Sequence, residues 1–255
     1  MKTLKVDVKP VWFDDPLEHI EYCGRVCYNS YDKKTKISAW PFVEGLIRRG
    51  HLSVLEHVGL DPRSCSETMK ARAGKRGVRW REAAEAYLNT TSNIDPYTII
   101  NELKDLYRDK SLKTFEITCD RNTTHQLVRH RNLSFCERSF RYVKVEDAEV
   151  IEAEQLSLKA LDKWQNSIET AFNTYKELVA DGCSLDMARS VLPGCAATRI
   201  IISGTVPCWM DFLKLRLSRK ASKETMLVAR KIYEYLKYDI TPLLKNVEEI
   251  DKEEK

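Results

Sequence analysis

Residues 123–142 constrain this chain more than any other stretch. They gather Arg129, His130, Arg131, Arg138 and Arg141 with Gln126, Ser134, Glu137 and Ser139. Four guanidinium groups this close repel one another, so a folded chain keeps them together to meet an anion. The stretch is read as a nucleotide and cofactor site, and the remainder of the chain as its support.

The chain has 255 residues, enough for one large domain or two small ones. With 43% hydrophobic and 31% charged residues it can bury a sizeable core behind a polar surface. The net charge of +4 is too small to imply nucleic-acid binding by itself. Its distribution is uneven: basic through 70–81 and 121–141, acidic from 248 to 255. No apolar run approaches the roughly 18 residues that cross a bilayer, and residues 1–6 lack the apolar core of a signal peptide. The expected location is the cytoplasm, or a host's cytoplasm if the source is viral. Eight cysteines occur without a Cys-x-x-Cys pair. Reduced, buried thiols are the favoured reading over a disulfide framework or a zinc site.

Residues 4–9 alternate apolar and polar, predicting a strand. Asp15 and Pro16 cap a helix through Leu17, Ile20, Cys23, Val26 and Cys27. A second helix, 41–49, stops at Gly50. His51, Ser53, Glu56 and His57 follow as a ligand-contacting turn, with no third metal ligand nearby. Segment 59–112 differs in character and reads as an inserted helical unit, with a helix at 80–88. Another helix opens at Asp95-Pro96 and carries Ile99, Ile100, Leu103, Leu106 and Tyr107.

Phe115, Ile117 and Cys119 predict a strand with one buried side. Asn122 or Thr123 is expected to cap a helix reaching Arg131, with Gln126, Arg129 and His130 on one face. A loop over 132–139 and a strand over 141–145 complete this region. The longest helix is expected at 154–181, with Leu158, Leu161, Trp164, Ile168, Phe172, Tyr175, Leu178 and Val179 as its core stripe. A short helix capped by Ser184 comes next. A buried strand at 197–203 and helices at 209–216 and 218–238 follow, then a frayed tail. The order predicts an α+β fold: a mixed or antiparallel sheet flanked by long helices, in one domain over 1–247 with an acidic tail at 248–255.

Glycine-rich phosphate loops and a Gly-x-Ser-x-Gly elbow are absent. Phosphates must then be held by side chains. Cys208 invites a nucleophile reading, but no histidine is near it in sequence and a structural thiol is favoured. Without an evident nucleophile or metal, the reactive group is expected from an organic cofactor.

Arg129-His130-Arg131 followed by Ser139 resembles the signature of flavin-dependent thymidylate synthases. His51-x-Ser53-x-x-Glu56-His57 is similar to a second block of that family. Ala188-Arg189-x-x-Leu192-Pro193 and Phe212-x-x-Leu215-Arg216, with Ala221 and Glu224, resemble its C-terminal blocks. Four blocks in order cover most of the chain except 59–112.

The resemblance implies reductive methylation of dUMP to dTMP. Methylenetetrahydrofolate supplies the carbon, and FAD reduced by NADPH supplies the hydride. By position it implies that Gln126, Arg129, Glu137, Ser139, Phe140, Arg141, Arg189 and Arg216 contact dUMP. It places FAD against Ser53, Arg129, His130, Arg131, Glu137, Thr205 and Asp211. Arg216 is the implied catalytic group, favouring ionisation at N3 of the uracil. No metal is implied, and neither nucleic acid nor membrane is an expected partner. A homotetramer with sites between subunits is, and Arg216 is expected on another face or another subunit from Arg141. The family often has asparagine where Thr205 and Asp211 stand, histidine at Lys220 and an amide at Cys136. Those departures keep open a catalytically inactive nucleotide-binding homologue. A single-stranded nucleic-acid binder, stacking bases on Trp80, Phe135, Phe140 and Tyr142, is the remaining alternative.

Overall fold

Alternating side chains on two distant segments build the centre of the molecule. A computed structural model describes residues 1–90, 95–106, 108–152 and 156–240. Its strands are β1 (Lys2–Leu4), β2 (Asp7–Pro10), β3 (Lys113–Asp120), β4 (Ser134–Glu137), β5 (Glu149–Ile151) and β6 (Ala197–Gly204). Strands β3 and β6 pair antiparallel along their full length, from Lys113 opposite Gly204 to Asp120 opposite Ala197. The sheet order is β2-β3-β6-β4, and β1 with β5 forms a separate parallel pair.

Around these strands run α1 (Pro16–Tyr28), α2 (Ala39–Arg48), α3 (Glu67–Ala73), α4 (Trp80–Thr90), α5 (Pro96–Asp105) and α6 (Arg121–Leu127). They continue as α7 (Leu158–Ala180), α8 (Leu185–Ala188), α9 (Val206–Arg216) and α10 (Lys223–Ile240). The period-2 pleat sends neighbouring residues of β6 to opposite faces. Ile200 and Ile202 meet Phe115, Trp209, Phe212 and Ile232 on one side. Ile201 joins Ile20, Leu46, Trp80 and Ile100 on the other. Both faces are therefore covered, α9 and α10 on one and α1, α2, α4 and α5 on the other. The helices of segment 59–112 share that second core with α1 and α2. A third cluster sets Ile168, Phe172 and Tyr175 of α7 against Phe140, Val145 and Val150.

Local signals hold where a cap or a special backbone is needed. Asp15 accepts a hydrogen bond from the Leu17 amide at 2.7 Å, and Gly50 takes φ +69° beyond α2. Gly204 ends β6 where a Cβ would collide with the Leu133 side chain, so glycine permits that close approach.

Several expectations are corrected. The strand at 4–9 is two strands in different sheets, because the chain changes sheet at Lys5 and Val6. Asp120, not Asn122 or Thr123, caps α6, accepting from the Thr123 amide at 2.6 Å. That helix ends at Leu127, so Arg129, His130 and Arg131 lie on the following turns. The predicted loop at 132–139 contains β4, which pairs with β6. The predicted strand at 141–145 is instead turned back by the Tyr142 and Val143 amides, both bonded to Ser139 O. Leu158 is 87% exposed and is not part of the core stripe. Tyr107, residues 154–155 of the longest predicted helix and the 248–255 tail lie outside the described residues.

Candidate active site

Helix α9 carries Arg216 to the end of α6. Trp209 anchors α9 by donating from Nε1 to Lys113 O of β3 at 3.1 Å. At the other end, Arg216 Nε donates to His130 Nε2 at 2.9 Å, and Nη2 donates to Gln126 O at 2.7 Å. A guanidinium is always a donor, so His130 must accept through an unprotonated Nε2 and stay neutral. Burial, reinforced by the Arg216 charge, lowers the His130 pKa to about 4. The ring also lies edge-on to Phe212, with centroids 4.8 Å apart. Burial lowers the Arg216 pKa too. Among the described residues its Nε and Nη2 are the engaged groups, which leaves Nη1 for a ligand. Gln126 is tied sideways, its Nε2 donating to Ser222 Oγ at 3.0 Å.

A second arginine pair forms where the 139–143 turn meets α8. Arg141 Nε and Arg189 Nη2 lie 3.0 Å and 2.9 Å from the same oxygen, Asp186 Oδ1. Ser139 belongs to this group, because its Oγ accepts from the Arg141 amide at 3.3 Å. Its own amide is tied to Cys27 O at 2.9 Å.

Glu137 of β4 reaches toward α6. Its Oε1 accepts from Thr124 Oγ1 at 3.1 Å, with Arg121 Nη1 at 3.9 Å. Burial raises its pKa, against the opposing pull of Arg121. Phe140 is 2% exposed beneath Arg121 and Arg138, so its backbone rather than its ring is what it offers a ligand.

The remaining cofactor candidates divide. Ser53, Arg129 and Arg131 are exposed on turns. Thr205 is nearly buried and donates through Oγ1 to Lys75 O at 2.7 Å. Asp211 is ion-paired with Lys75 Nζ. The 59–112 segment thus engages Thr205 and Asp211, two of the four positions that depart from the resembled pattern. Cys208 is 2% exposed and has Thr205 Oγ1 and Lys75 O as its hydrogen-bond partners, an environment without a base to activate it.

Arg216 is bonded to His130, at the α6 end of the arginine stretch. One expectation changes here. His57 is not a ligand-contacting residue. It is fully buried with Nδ1 2.6 Å from Ser203 Oγ, and the chain of contacts continues through Thr114 to His19. The sequence reading also missed Asp186, Ser222, Thr124 and Lys75. Only Asp186 left a local signal, three residues before Arg189 and hence on the same helical face.

A cavity of about 560 Å³ lies elsewhere, between Lys5, Ile151, Glu152, Lys223, Leu227 and Arg230. It contains none of the residues named for nucleotide or flavin. The geometry and chemistry of the arginine clusters therefore outweigh cavity size in locating the site.

Residues 110–242, more than half of the chain, match the family model described as thymidylate synthase complementing protein. The chain is 33% identical over 139 residues to a flavin-dependent thymidylate synthase of Synechocystis sp., covering 47% of this chain and 65% of that protein. It is 35% identical over 141 residues to the enzyme of that name from Pyrococcus furiosus, covering 52% and 58% respectively. The match to the Mycolicibacterium gilvum protein is longer, 27% over 230 residues, or 82% of this chain and 71% of that one. The chain thus spans about 58–65% of the length of the first two curated relatives. Its fold is like that of a UMP/dUMP methylase, PolB from Streptomyces cacaoi, solved with 5-Br dUMP. The TM-score is 0.52 at 19% identity, with 93% of each chain covered. The mixed α/β architecture with its antiparallel sheet is shared with that structure. No helix among the described residues is long and apolar enough to cross a membrane. The chain belongs to the thymidylate synthase complementing protein family, that of the flavin-dependent thymidylate synthases.

Proposed function

We propose that this chain is a flavin-dependent thymidylate synthase that methylates dUMP reductively to dTMP, with methylenetetrahydrofolate as carbon donor. The observation that carries the reading is Arg216, held by His130 and Gln126 O with Nη1 unbonded among the described residues. Such a cation against the uracil edge favours loss of the N3 proton and raises electron density at C5, where the carbon is added. The group is positioned before substrate arrives, so little reorganisation opposes it. One fixed donor at developing negative charge is typically worth roughly 3–4 kcal/mol.

Ser139, Arg141 and Arg189 receive the 5′-phosphate through charge-assisted hydrogen bonds. Gln126, Arg129, Glu137 and the backbone of Phe140 complete the nucleotide contacts. FAD is held by Ser53, Arg129, His130, Arg131, Glu137, Thr205 and Asp211. When bound and reduced by NADPH it supplies the hydride. The donor set fits such a group. Arg129 and Arg131 are exposed cations for its phosphates, and His130 keeps Nδ1–H as a donor because Nε2 is occupied. Lys75 neutralises Asp211, removing an objection to a carboxylate near a phosphate.

The same reading takes the protein as a homotetramer whose ligands lie between subunits. Residues 1–247 act as one cytoplasmic catalytic domain, with 59–112 as its helical insertion. Turnover assays with dUMP, NADPH and methylenetetrahydrofolate test the proposal. dTMP formation is expected, with flavin absorbance in the purified or FAD-reconstituted protein. Failure of the protein to take up FAD, or nucleotide binding without turnover, refutes it.

A further inference from the structure

Two guanidinium groups converge on one carboxylate oxygen at the proposed phosphate site. Arg141 Nε is 3.0 Å from Asp186 Oδ1 and Arg189 Nη2 is 2.9 Å from that same atom. Arg189 Nε also donates to Asp186 O at 3.3 Å. The arginines come from different parts of the chain, one from the turn after Ser139 and one from the end of α8. Without an anion between them they would repel and spread, since among the described residues Asp186 is the one group that meets both heads. Asp186 supplies one negative charge to two positive ones, which leaves the cluster with a net positive charge.

We propose that Asp186 is a built-in stand-in for the substrate phosphate: it holds Arg141 and Arg189 together in the empty site and yields them to an incoming phosphate dianion. The inference rests on the phosphate-binding role given above to those two arginines. A phosphate monoester brings two charges and three acceptor oxygens, so it competes with a single carboxylate for both guanidinium groups. A neutral nucleoside offers nothing to displace it. Asp186 thereby moderates nucleotide affinity, while the two arginines supply the preference for a 5′-monophosphate.

Exchange is feasible because the groups are open to water, with side chains 52% exposed at Arg141, 47% at Asp186 and 36% at Arg189. An exposed ion pair of this kind shifts an equilibrium by no more than about fivefold. The released carboxylate is solvated directly, without a buried charge left behind. Asp186 is a positioning residue in this role, acting on substrate through the two arginines.

The test compares wild type, Asp186→Asn and Asp186→Glu by calorimetric titration with dUMP, deoxyuridine and inorganic phosphate at low salt. Asp186→Asn removes the competing charge and is expected to bind dUMP and phosphate about 2- to 5-fold tighter, with deoxyuridine unchanged. Asp186→Glu keeps the charge and should stay within about twofold of wild type. The gain in Asp186→Asn should shrink in high salt, where exposed charges are screened. Equal or weaker binding of dUMP and phosphate by Asp186→Asn overturns the inference while leaving the proposed function in place. A gain for phosphate with no dUMP binding by any variant supports the inference and rejects the function. No binding of either ligand to wild type or Asp186→Asn overturns both.

Discussion

The two arginine clusters of the candidate site are built on opposite principles. Arg216 is half-buried, locked by a backbone carbonyl and by a histidine that burial keeps neutral. Arg141 and Arg189 are exposed and share one carboxylate. The first arrangement fixes a donor in one orientation. The second keeps two donors together while leaving them exchangeable. Rigid mounting suits a group that acts on developing charge, and a loose ionic clamp suits one that captures and releases an anion.

The sharpest way to break this comparison is Arg216→Ala. Loss of one preorganised donor should lower kcat about 10²- to 10³-fold while FAD absorbance and dUMP binding persist. Unchanged turnover would remove Arg216 from the chemistry.

Acid should disturb the buried side before the exposed one. His19 and His57 are fully buried, and burial lowers both to a pKa of about 3; His130 falls to about 4 by burial and the Arg216 charge. A base with a lowered folded pKa binds its proton more readily when unfolded. Stability is therefore complete above the ordinary value of about 6.5 and declines as pH falls from there toward 4. Each fully buried histidine should contribute on the order of 1 kcal/mol per pH unit within that window. Thermal melts at pH 7 and pH 5 should show a marked fall in Tm, and a flat profile would contradict the neutral, buried assignment.

Arg189→Ala probes the exchangeable cluster and should act mainly on KM for dUMP, raising it about tenfold with little change in kcat. A residue with Arg216's role would instead lose kcat. The smallest expected effect is that of Lys75→Ala, which leaves Asp211 unneutralised. It should weaken FAD binding about 2- to 5-fold in a fluorescence titration and leave dUMP affinity alone, because exposed charge pairs are worth little.

Much of this architecture was readable from periodicity and caps. The alternation of Phe115, Ile117 and Cys119 marks β3, Asp15-Pro16 starts α1, and Ser184 caps α8, each a signal contained within a few residues. Strand β4 was not readable. Ser134 and Cys136 face inward between Phe135 and Glu137, so its alternation lacks the large apolar side chains that mark a strand. Its existence depends on β6, some sixty residues later, presenting a free edge. His57 was misread for a related reason: only the registry of Thr114 with Ser203 creates the polar seam that receives it.

The sequence by itself determined which donors this protein possesses, the helices and central strands that carry most of them, and the motif order that marks its family. The tertiary structure decided how each donor is held. Arg216 meets His130 because α9 packs against the end of α6, and Asp186 stands between Arg141 and Arg189 because α8 meets the turn after Ser139. Periodicity records which face a residue occupies, but hydrogen-bond partners across a fold depend on sheet register and helix packing, which no local pattern encodes. The arginine stretch is thus half of a site: its composition attracts anions, and the elements folded against it settle which arginine is fixed and which can let go.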